Sequence, residues 1–215
     1  MDIRAVVVAR RRSGRVDPLT PVGGVPMVVR AVRTLLAGAP VEHVLVLAEA
    51  HRHDAIARAC SGLPVDLRED LPLRAHTGQR APATPGDGRS GESDFFLLHD
   101  AARPLTPPAL VAAVVAAVGD GDVVVPLLPL ADTVKLVDAD GLVTATPDRA
   151  GLRVLQTPHA VRIGPAESEA DPFDVAARLA VGGSVLPVAG DPLAFPVHTA
   201  WDLELAELLI GGAAR

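Results

Sequence analysis

Alternation between short apolar runs and helix-period segments constrains this chain most. Residues 3–9 form a β-branched run that reads as a buried strand. Residues 26–36 follow with Val28, Val32, Leu35 and Leu36 at helical spacing and Pro26 in the first turn. Residues 44–47 predict a second buried strand, 54–60 a helix and 65–67 a third short strand. Strand–helix–strand order predicts βαβ units and a parallel sheet, because parallel neighbours need a crossover between them. Further along, 95–98 and 123–127 read as buried strands on either side of a helix over 106–118. Thr106 is placed to cap that helix, Pro107 suits its first turn and Gly119 ends it. The stretches 133–137 and 142–146 flank Asp138-Ala139-Asp140-Gly141, a good hairpin turn. A helix over 174–181, a strand over 185–188 and a closing helix over 201–210 complete the pattern. Two stretches escape it. Residues 10–20 are a polar, basic loop, and 71–94 are rich in Pro, Gly, Ser and Thr without apolar periodicity, which predicts a long mobile loop. There is no internal repeat and no second core. The expectation is one Rossmann-like α/β domain over 1–215 with a mostly parallel sheet and a β-arm protruding over about 132–158.

Composition removes several classes of function. A chain of 215 residues can bury a sizeable core. A net charge of −6 argues against a general nucleic-acid binder, and the lack of Tyr among scarce aromatics leaves no base-stacking platform. Cys60 stands alone, so there is neither a disulfide framework nor a cysteine metal site. No apolar run approaches the roughly 20 residues of a membrane span. The opening Met-Asp-Ile-Arg-Ala-Val-Val-Val reads as a strand rather than a signal peptide. These features predict a soluble cytoplasmic protein that acts on small molecules, with no nucleic-acid or membrane partner.

Asp100 carries the first chemical signal. It directly follows an apolar strand, and ligands of open α/β sheets bind at the carboxyl ends of strands. A carboxylate there can hold Mg²⁺, which prefers oxygen ligands and bound phosphates. His99 beside it reads as structural. Arg103 points to a phosphate or to an ion pair with Asp100. Thr133, Lys135 and Arg149 sit on the extended arm. Lys135 is the only lysine of the chain, which a bias toward arginine codons explains. Arginine is a planar fork and lysine a compact point charge, so an enzyme that relied on ammonium groups could not lose all but one without consequence.

The string His99-Asp100-Ala101-Ala102-Arg103-Pro104 is followed in order by Asp132-Thr133-Val134-Lys135, Asp148-Arg149-Ala150-Gly151-Leu152 and Gln156-Thr157-Pro158. In order and spacing these motifs resemble the 2-C-methyl-D-erythritol 4-phosphate cytidylyltransferase family. The resemblance implies a nucleotidyltransferase fold that joins CTP to a small polyol phosphate with Mg²⁺ as cofactor. It places the metal on Asp100 and the polyol phosphate on Asp100, Arg103, Thr133, Arg149 and Thr157, with Arg15 and Arg149 catalytic. The nucleotide falls to Ala9, Arg10, Arg11, Ser13, Gly14, Arg15, Gly78, Arg80 and Ala101. It also implies a homodimer in which each arm crosses to complete the partner's site.

The chain departs from that pattern where charge must be neutralised. The family's glycine-rich loop of the form Ala-Ala-Gly-x-Gly-x-Arg closes backbone N–H groups on a triphosphate. Here the stretch is Ala9-Arg10-Arg11-Arg12-Ser13-Gly14-Arg15, in which only the final arginine fits and Gly14 lies nearby. Leu19 follows Pro18 where the family has lysine, and Pro196 stands at a second lysine position. Thr77-Gly78-Gln79-Arg80 is a reduced form of a longer glycine- and serine-containing motif. Loss of one preorganised donor costs on the order of 10²–10³ in rate, so these replacements predict weak turnover. Two readings stay open: a divergent cytidylyltransferase with impaired activity, and a non-catalytic paralogue that binds nucleotide or pairs with an active homologue. A generic sugar-phosphate nucleotidyltransferase, suggested by Pro21-Val22-Gly23-Gly24-Val25-Pro26-Met27, is weaker because the arm motifs speak against it.

Overall fold

A computed structural model describes residues 3–10, 15–70, 95–162 and 183–213. Its strands are β1 (Ile3–Val8), β2 (Pro21–Val22), β3 (Val25–Pro26), β4 (Val44–Leu47), β5 (Val65–Arg68), β6 (Phe95–Asp100), β7 (Val123–Pro129), β8 (Leu136–Val137), β9 (Val143–Ala145), β10 (Arg153–Leu155), β11 (His159–Arg162) and β12 (Val185–Ala189). Its helices are α1 (Met27–Gly38), α2 (His53–Ala59), α3 (Pro108–Ala116) and α4 (Ala200–Ala213). An eight-stranded sheet runs β5-β4-β1-β6-β11-β7, with β10 and β12 also paired to β7. The pairs β1–β4, β1–β6, β4–β5 and β7–β12 are parallel. Only β10 and β11, which carry the chain back from the arm, run antiparallel to their neighbours.

The period of two along each strand explains how this sheet is held. Ala5 and Val7 of β1, with Phe95 and Leu97 of β6, pack with Val28, Val32 and Leu35 of α1 and Val111 and Val114 of α3. The alternate residues Val6, Phe96 and Leu98 join Val123, Val125 and Val161 in a second cluster. Both faces are therefore apolar, as a mostly parallel sheet requires. Each such side chain, when fully buried, contributes about 1.5–3 kcal/mol. A third cluster of Val22, Met27, Val197 and Ala206 seats α4 over the β2–β3 hairpin.

Gly38 at the end of α1 shows how tightly α1 and α3 meet. A methyl group there would lie 2.5 Å from both the Pro108 carbonyl oxygen and Val111 Cβ. The carbonyl belongs to backbone and cannot swing aside. Gly38→Ala is therefore expected to destabilise the fold by about 1–3 kcal/mol, the usual range for overpacking, visible as a lowered urea midpoint.

Two local expectations are corrected. Thr106 does not cap α3: its hydroxyl donates to the Arg103 carbonyl at 3.0 Å, and Pro107 occupies the cap position without a side-chain bond. The helix starts later because successive prolines leave few donors to cap. The arm strands are shorter than 133–137 and 142–146, although the turn forms as expected, with Asp138 Oδ1 accepting from the N–H groups of Asp140 and Leu142. The loop over 10–20 also ends in structure, because Pro21-Val22 and Val25-Pro26 pair across Gly23 and Gly24, both at positive φ. The expected loop over 71–94 and the helix over 174–181 lie outside the described residues. Among those described, no helix is long and apolar enough to cross a membrane.

Candidate functional site

The carboxyl ends of β1 and β6 face one cleft. Val8, Arg10, Arg15, Val16, Pro18, Asp100, Ala102 and His198 line it. Residues far apart in sequence meet here because β1 and β6 are neighbours in register from Ile3–Phe95 to Val8–Asp100.

Asp100 is held in a fixed pose. Its Oδ1 accepts from the Ala102 N–H at 2.9 Å, and its own N–H donates to Thr157 Oγ1 at 3.1 Å. The Thr157 hydroxyl in turn faces His99 Nδ1 at 3.0 Å. His99 is wholly buried, and its pKa is lowered from 6.5 to about 3 by burial first and by Arg103 second. The sequence reading of His99 as structural agrees with this position. Thr157→Val keeps the shape but removes both bonds. It is expected to cost about 1–3 kcal/mol of stability by leaving the Asp100 N–H and His99 Nδ1 unpaired, checked by chemical denaturation.

Arg103 forms no ion pair with Asp100. Its guanidinium donates to the carbonyls of Ala194 and, at 3.3 Å, Leu155. It thereby ties the end of β6 to the end of β10 and to the short helical turn Pro192–Ala194. Burial lowers its pKa and Asp100 opposes that shift. Gln156, also buried, makes a second tie: its amide nitrogen donates to the Asp191 carbonyl at 2.8 Å, and its oxygen accepts from the Asp191 N–H at 2.9 Å. Gly190 permits this approach, since a Cβ there would stand 2.4 Å from Gln156 Oε1 and 3.0 Å from the Leu127 carbonyl carbon.

The two arginines of the cleft differ in what remains to them. Arg10 pairs with Asp70 at 2.7 Å and also donates to the Glu69 carbonyl. Arg15 has no carboxylate within ion-pair reach among the described residues; its Nη1 lies 2.9 Å from His198 Nε2. The loop behind Arg15 is pinned through Asp17, whose Oδ1 accepts from the Leu19 N–H at 2.8 Å and pairs with the largely buried Arg52. Leu19 itself packs against the main core. Ala9 and Ala101 commit their N–H groups to the Leu47 and Val8 carbonyls, so neither backbone offers a donor to a ligand. Arg11, Ser13, Gly14, Gly78 and Arg80 lie outside the described residues.

Thr133 and Arg149 are exposed on the arm and do not line the cleft. Arg149 donates to the Ala131 carbonyl, and Lys135 Nζ donates to Thr146 Oγ1 at 2.7 Å, which braces the hairpin. The described residues contain no cluster of three or more His, Cys, Asp and Glu able to hold a metal alone. His198 was missed by sequence reasoning. The signal lay in Thr199-Ala200-Trp201-Asp202, a capping box that fixes where α4 starts: Asp202 Oδ2 accepts from the Thr199 N–H at 2.8 Å and the His198 N–H at 3.0 Å.

A family model described as 2-C-methyl-D-erythritol 4-phosphate cytidylyltransferase matches residues 4–211. The protein of that name from Nocardia farcinica is 40% identical over 208 residues, covering 93% of this chain and 88% of the relative. A solved 4-diphosphocytidyl-2C-methyl-D-erythritol synthase from Anaerococcus prevotii superposes with a TM-score of 0.75 at 20% identity, covering 98% of each chain. A solved CMP:2-keto-3-deoxy-manno-octonic acid synthetase complexed with CTP superposes with a TM-score of 0.70 at 16% identity, covering 99% of this chain and 100% of its own.

Proposed function

Because this chain belongs to the 2-C-methyl-D-erythritol 4-phosphate cytidylyltransferase family, we propose that it transfers a cytidylyl group from CTP to 2-C-methyl-D-erythritol 4-phosphate, at a rate held down by Leu19 and Pro196. The observation that carries this reading is the cleft at the ends of β1 and β6. It sets Arg15, with no carboxylate in ion-pair reach among the described residues, in the same cleft as Asp100, whose carboxylate is held by the Ala102 N–H. A phosphate oxygen of the acceptor attacks the α-phosphorus of CTP, a new P–O bond forms, and the bond to the departing pyrophosphate breaks. Little covalent work falls to the protein in such a transfer; it positions the groups and neutralises charge. Arg15 holds phosphate oxygens through its free N–H groups.

Mg²⁺ suits this arrangement when shared. It commonly uses one or two carboxylates together with substrate phosphates and water, so a single carboxylate is enough. Asp100 would hold it beside the triphosphate, and the ion would supply charge neutralisation. A cytoplasmic location fits a reaction between soluble substrates.

The arm completes the proposal. Leu136, Val137, Leu142 and Val143 on it are all more than half exposed among the described residues. We assign the arm to a homodimer contact in which Thr133 and Arg149 serve the partner's acceptor site. Light scattering at micromolar concentration should give the mass of two chains, and Leu136→Asp with Val143→Asp should give one. A single-chain mass for the unaltered protein would refute the dimer.

The transfer itself is tested by pyrophosphate release from CTP and 2-C-methyl-D-erythritol 4-phosphate with Mg²⁺. Slow release that needs both substrates supports the reading. CTP binding with no release at any enzyme concentration would favour the non-catalytic paralogue instead.

A further inference from the structure

We propose that His198 is a positioning residue for phosphate binding: it orients Arg15 in the cleft by accepting a hydrogen bond from its guanidinium, without cancelling its charge. The inference rests on the nucleotide reading above and goes beyond it in naming how Arg15 is held.

The contact is His198 Nε2 to Arg15 Nη1 at 2.9 Å. A guanidinium has only donors, so Nε2 must accept. The imidazole is therefore neutral, with its proton on Nδ1. Burial and Arg15 both hold its pKa below the usual range, Asp100 and Asp202 act the other way and Arg103 adds to the lowering, which agrees with a neutral acceptor.

His198 can do this because its backbone is fixed on both sides. Its N–H donates to Asp202 Oδ2 at 3.0 Å, and its carbonyl accepts from the Val16 N–H at 2.9 Å. The preceding Val197 is wholly buried and its N–H donates to the Ala102 carbonyl at 2.7 Å. The imidazole thus stands on a rigid segment joined to β6 and to the loop that carries Arg15. Arg15 is exposed and would otherwise be free to sample many rotamers. A carboxylate in the place of His198 would also orient Arg15, but it would neutralise the charge that an anion needs. A neutral acceptor fixes the fork and leaves its other N–H groups for phosphate oxygens. Pro196, two residues away, can offer neither charge nor a donor, so positioning falls to His198.

The experiment measures CTP and tripolyphosphate binding by calorimetry for the full chain and for His198→Ala, His198→Gln, Arg15→Ala and the Arg15→Ala, His198→Ala pair. Melting temperatures confirm that each variant is folded. His198→Ala should weaken binding of both probes by up to about tenfold, the scale of one hydrogen bond. His198→Gln, whose amide oxygen can accept from Arg15, should stay within about threefold of the unaltered chain. In the Arg15→Ala background, His198→Ala should cost nothing more, because there is then no guanidinium to orient. Unchanged binding in His198→Ala, an equal loss in His198→Gln, or a full penalty in the Arg15→Ala background would each overturn the proposal. If the chain binds tripolyphosphate but not CTP, the nucleotide reading fails while the His198 comparison is still decided on tripolyphosphate. If it binds neither probe, both fail.

Discussion

Lysine at position 196 is expected to raise cytidylyl transfer by about 10²-fold over the unaltered chain, whose own turnover should fall far below ~1 s⁻¹, the low end of typical enzyme rates. The charge on the departing pyrophosphate must be matched by preorganised cations. Of the two described arginines lining the cleft, Arg10 is already committed to Asp70, which leaves Arg15. Pro196 lies between Phe195 and Val197, on the segment that Val197 anchors to Ala102 beside the cleft. A lysine there starts from a backbone that is already positioned. Leu19→Lys should add less, because Leu19 packs against the core and a lysine must run its stem along that apolar surface before its ammonium reaches water. Pyrophosphate release with Mg²⁺ and both substrates checks the single and double variants. Turnover near ~1 s⁻¹ in the unaltered chain would show that guanidinium groups alone supply the missing charge.

Acid should destabilise this fold in a window set by His99. Its pKa is 6.5 in a model peptide and about 3 in the fold, so the unfolded chain binds its proton more readily. Stability is therefore fully present above about pH 6.5 and falls as pH drops toward 3. At pH 5 the loss relative to pH 7 amounts to about 2 kcal/mol from this one group. The cause is burial first and the charge of Arg103 second, which together outweigh the hydrogen bond that the Arg103 backbone offers to the charged ring. Urea unfolding at pH 7 and pH 5 measures the loss. His99→Leu should be less stable at pH 7, since Thr157 loses its imidazole partner, yet should show a smaller difference between the two pH values. An equal pH dependence in His99→Leu would place the acid sensitivity elsewhere.

Much of the fold was legible because its signals are local. The β-branched run of β1, the apolar residues of β6 and the helical spacing in α1 each state their own structure, and the structure forms each near its expected place. What was hidden depended on neighbours. The run His159–Arg162 holds only Ala160 and Val161 as apolar residues, too few for a strand by itself. It forms β11 because β6 and β7 offer backbone partners on both sides. Thr106 illustrates the reverse: a good capping residue by type, it turns to the Arg103 carbonyl instead.

The candidate site divides along the same line. Sequence by itself determined the family, the α/β order, the acid at the end of β6 and the absence of lysine at 19 and 196, since each is a matter of residue type and spacing. Tertiary structure decided which charges are free to act. Asp70 takes Arg10, carbonyls take Arg103, and among the described residues of the site Arg15 is left facing a neutral imidazole brought from the other end of the chain. A charge does its work through its distance to other charges, and the distance between residues 15 and 198 exists only after the sheet has placed β1 and β6 side by side and α4 has closed over the β2–β3 hairpin.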